Sequence, residues 1–157
     1  MSKNLIENVI HEKLTGETQK NALDLIAFMQ ENGFSFKDFA SGNDIRWTPM
    51  YKGNGIGCIA VAEESMLNDS NNIAIWLGLE CNFENDDTED DELKEFAWSH
   101  IVNCPQELCK PPHCKGSKNR YKILGKEYES TCHAPLAFFE LSDKSLENIK
   151  KLILMIK

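Results

Sequence analysis

Apolar positions recur at helical spacing near both ends of the chain and alternate with polar ones in between, a pattern of helices packed on a sheet. Leu5, Ile6, Val9, Ile10 and Leu14 fall on one helical face, predicting an amphipathic helix that stops near Thr15-Gly16. A second helix is predicted from about Glu17 to Asn32, burying Ala22, Leu25, Ile26 and Met29, with Gly33 beyond its end. Phe34, Phe36 and Phe39 follow at loop-like spacing and are expected to plug the core from a connection. From Asp44 the period becomes two. Ile45, Trp47, Pro49 and Tyr51 alternate with Arg46, Thr48 and Met50, a strand that Pro49 places at an edge or end.

Lys52-Gly53-Asn54-Gly55 then reads as a turn, Ile56 to Ala62 as the return strand, and Ile73 to Leu79 as a third strand after the Asn68–Asn72 turn. Glu80 to Asp91 is too acidic to pack and is expected to be an exposed loop. Asp90, Asp91 and Glu92 suit the positive start of a helix carrying Leu93, Phe96, Ala97, His100 and Ile101 on one face. Tyr121 to Tyr128 is expected to be a short strand or turn, and Leu136 to Leu141 another apolar run. A last helix starts at Ser142 as its N-cap and buries Leu146, Ile149, Leu152 and Ile153. The fold class is α+β, an antiparallel sheet packed by helices, in one domain over residues 1–157.

Composition adjusts this picture little. A chain of 157 residues with 41% hydrophobic and 27% charged residues has enough apolar surface for one ordinary core. The apolar runs Ile73–Leu79 and Leu152–Ile156 are far shorter than the roughly 20 residues that cross a bilayer. Met1-Ser2-Lys3-Asn4 leads into a charged helix without an apolar signal region, so a cytoplasmic protein is expected. The net charge of −8 argues against general nucleic-acid binding. A local anion site stays open, because Lys110, Lys115, Lys118, Arg120, Lys122 and Lys126 are concentrated in one segment, far from the acidic block.

That basic segment also holds the candidate chemistry. Cys104, Cys109 and Cys114 lie in a stretch with Pro105, Pro111, Pro112 and Gly116 and few apolar residues, and Cys132 follows. Neither helix nor strand runs through most of such a stretch, so something other than a core must order it. In a reducing compartment six cysteines are read first as thiols. Four thiolates satisfy a tetrahedral zinc ion and cross-link the loop that carries them. The spacing C-x4-C-x4-C-x17-C is wider than the C-x2-C pairs of common zinc knuckles. His113 and His133 are alternative nitrogen ligands, His100 a further candidate, and an iron-sulfur centre is the second cofactor reading. Without a metal, the neighbouring lysines would lower the thiol pKa values and turn Cys109 or Cys114 into the reactive group of a redox enzyme or sensor. No C-x2-C opens a helix to support this. Cys58 and Cys81 read as small buried fillers.

A third reading places Arg46, Trp47, Tyr51 and Trp76 around a small-molecule ligand on an aromatic sheet face. No P-loop, dinucleotide fingerprint, nucleophile elbow, zinc-protease helix or kinase signature is present. No catalytic residue is assigned, and the leading expectation is a non-enzymatic binding or regulatory module.

Asn21-Ala22-Leu23-Asp24, the Tyr51-Lys52-Gly53 hairpin, Glu95-Phe96-Ala97-Trp98, the cysteine segment and Gly125-Lys126-Glu127-Tyr128-Glu129-Ser130-Thr131-Cys132 together resemble an uncharacterised family of small Firmicutes proteins. The resemblance spans most of the chain. It implies a cysteine knot at Cys104, Cys109, Cys114 and Cys132 and brings no activity with it. Trp47-Thr48-Pro49-Met50-Tyr51-Lys52-Gly53 is similar to a hairpin of YdhG/YdeI-like domains, over too short a span to imply a function.

Overall fold

The computed structural model describes residues 6–41, 44–61, 73–77, 89–103, 119–138 and 140–156. Helix α1 (Ile6–Lys13) and helix α2 (Gly16–Glu31) form as their periodicity dictates, burying Ile6, Val9 and Ile10 from one and Ala22, Leu25, Ile26 and Met29 from the other. Leu14 donates its N–H to Ile10 O, and Gly16, at φ +62°, turns the chain between the two helices. Helix α3 (Asp91–Ser99) is capped by Asp90, whose Oδ1 accepts from Leu93 N at 3.0 Å. Helix α4 (Asp143–Ile156) starts at the expected Ser142, whose Oγ accepts from Ser145 N at 3.2 Å.

The strands are β1 (Ser35–Ser41), β2 (Asp44–Tyr51), β3 (Asn54–Gly55), β4 (Gly57–Val61), β5 (Ile73–Leu77), β6 (Ile101–Asn103), β7 (Asn119–Ile123) and β8 (Lys126–Phe138). Among the described residues they form one antiparallel sheet in the order β1-β2-β4-β5-β8-β6, with β3 paired to β2 and β7 to β8. The α+β class and the β2–β4–β5 meander are those the alternation predicts. Some details differ from the sequence reading, among them Ile101, which opens β6 instead of continuing α3. The phenylalanine segment is not a connection but β1, paired along its length with β2. Phe34 and Phe36 keep the two-residue period on the core side, and in the sequence Phe39 falls one position out of that period.

Pro49, expected at an edge or an end, lies two residues before the end of β2, and that strand is paired on both sides and so is not an edge. Its carbonyl accepts from Ile56 N at 3.0 Å, at the interruption between β3 and β4 where the ladder to β2 lapses. A missing N–H costs little at such a break.

All four helices contribute to one buried cluster with a single face of the sheet. Trp47, Ile59, Val61, Ile75, Leu77, Leu136 and Phe138 meet Ile10, Leu25, Met29, Leu93, Ala97, Ile149, Leu152 and Ile153 there. Alternation sends Arg46, Cys58, Ala60, Ala74, Trp76 and Ala137 to the other face, and Ala74 with Trp76 forms a separate small cluster. Polar links fix the helices in place: Asn21 Nδ2 donates to Leu141 O at 2.9 Å, and Trp98 Nε1 donates to Ile123 O at 2.8 Å. Phe96 stacks on Phe138 at 5.4 Å, with His100 tilted against both rings.

Candidate functional site

The register of β8 brings distant parts of the chain together. Thr131 pairs with Asn103 at the end of β6 on one edge and with Asn119 at the start of β7 on the other. Adjacent strands lie about 4.8 Å apart, so the main chain at Asn103 and at Asn119 is separated by roughly 10 Å across β8. Residues 104–118, with Cys104, Cys109 and Cys114, connect those two points, and Cys132 is the next residue of β8.

The same stretch of β8 is irregular. Between Asn103↔Thr131 and Ile101↔Leu136 the register shifts, β8 advancing five residues while β6 advances two. Cys132-His133-Ala134-Pro135 fills this bulge. On the opposite edge the same four residues run between the last pair with β5, Leu77↔Leu136, and the first with β7. Extra residues in one strand re-aim side chains and concentrate next to functional sites, and Pro135 suits a position where no ladder N–H is needed. The spacing of the cysteines in sequence carries no trace of this convergence. A proline three residues after Cys132 is the one local signal that could have marked it.

Cys104, Cys109, Cys114, His113 and Cys81 lie outside the described residues, and of Cys132 and His133 only the backbone is described. Among the described residues, no group of three or more His, Cys, Asp and Glu is placed to hold a metal ion. His100 closes α3, with Nδ1 2.7 Å from Phe96 O. A carbonyl only accepts, so Nδ1 is the donor in this contact.

The four residues read as a ligand face divide between the two sides of the sheet. Trp47 is buried in the main core, and Tyr51 packs beside it with its ring 5.0 Å from Phe34. Arg46 and Trp76 lie on the other face and bracket Cys58: Arg46 pairs with Ala60, and Cys58 pairs with Trp76. Burial pushes the Cys58 thiol up, and the Arg46 guanidinium pulls it partly back. Cys58 is therefore half-buried beside a cation and not the fully enclosed filler its apolar neighbours imply.

Lys126 extends over the rings of Trp98 and Tyr128, at 5.3 and 5.8 Å from their centroids, clasping the β7–β8 hairpin to α3. Among the described residues no helix is long and apolar enough to cross a membrane. No family model, curated protein or solved structure matches the chain.

Proposed function

We propose that the protein is a non-enzymatic cytoplasmic binding or regulatory module in which Cys104, Cys109, Cys114 and Cys132 hold a structural zinc ion. The observation that supports this reading is the double pairing of Thr131, which anchors both ends of the cysteine segment beside the residue preceding Cys132. Closing 15 residues between points about 10 Å apart costs chain entropy. The segment has few apolar side chains to offset that cost. Four thiolates around one tetrahedral ion would supply the missing cross-link, and the surrounding lysines would balance the net −2 charge of a divalent ion with four thiolates.

Elemental analysis with thiol counting on protein purified without chelator tests the proposal. The expected result is about one zinc per chain with four protected thiols, a ratio set by tetrahedral coordination. Cys109→Ser should lower the melting temperature, because a ligand bound only by the native state adds to its stability. An unchanged melting curve with six freely titrating thiols would overturn the zinc site and turn attention to Cys109 and Cys114 as redox thiols. An iron signal would instead assign the cluster to electron transfer or sensing.

A further inference from the structure

We draw no further inference here: the strongest candidate, the patch of Arg46, Cys58 and Trp76 on the sheet face opposite the four helices, carries nothing because nothing in the structure shows what covers that face.

Discussion

A β-carbon added to Gly57 would run into the carbonyl oxygen of Trp76 on the neighbouring strand. Gly57 pairs with Leu77 at the start of β4, so the collision is with backbone, which cannot swing aside as a flexible side chain would. Gly57→Ala is expected to cost about 1–3 kcal/mol, the usual scale of overpacking in a tight core. A urea midpoint within error of the parent protein would mean that β4 and β5 separate without penalty.

At the next residue, Cys58 gives a pH dependence. Its thiol is held above the ordinary value by burial, with Arg46 opposing. A group raised in the folded state lends stability that is complete below the unfolded value, about 8.5 for cysteine, and drains as pH rises through the folded value. The parent protein should therefore lose stability relative to Cys58→Ala between neutral pH and pH ~10. Parallel midpoints for the two proteins across that range would show that Cys58 titrates as an ordinary thiol.

The helices were legible because each carries an apolar stripe and a local start or stop signal that needs no tertiary context. Ser142 and Asp90 both cap as their positions imply. Asp90 is held below the usual carboxylate range first by the Leu93 N–H and then by Lys151, whose Nζ lies 3.3 Å from Oδ2. A lowered value in the folded state gives stability that is present above the unfolded value of about 3.9 and lost as pH falls through the folded one. Asp90→Asn keeps an oxygen for the cap and removes the charge. Its deficit against the parent should shrink as pH is lowered from 5 towards 2.5, followed by helical circular dichroism during thermal melting. A deficit independent of pH would assign the whole effect to the hydrogen bond. The strands were less legible. β1 was obscured because Phe39 breaks the alternation set by Phe34 and Phe36, and β8 because Pro135 and the bulge interrupt a strand that otherwise runs from Lys126 to Phe138. The turn between β7 and β8 rests on Leu124 and Gly125, at φ 50° and 89°, and only the glycine is visible as a turn signal.

At the scale of the whole molecule, the sheet order could not be read from the sequence, because β8, the last strand, is inserted between β5 and β6. That long-range placement gives the cysteine spacing a physical setting, and local periodicity carries no information about it. It also sets one part of the sheet apart. Strands β2, β4 and β5, the β7–β8 turn and the C-terminal part of β8 share one continuous core with all four helices. The end of the sheet around Thr131 is held by a three-residue strand on one edge and a hairpin on the other, both with register shifts near Thr131. If zinc secures that end, chelation should raise amide exchange at Val102, Asn103, Asn119 and Thr131 well before it does so at Ile59, Ala60, Ile75 or Trp76. Protection follows local support, and amides in a core open only with the whole domain. Hydrogen exchange of the native protein with and without chelator measures both groups in one experiment. Equal acceleration everywhere would make the metal part of the global fold, and no acceleration at Asn103, Asn119 and Thr131 would remove it from this end of the sheet.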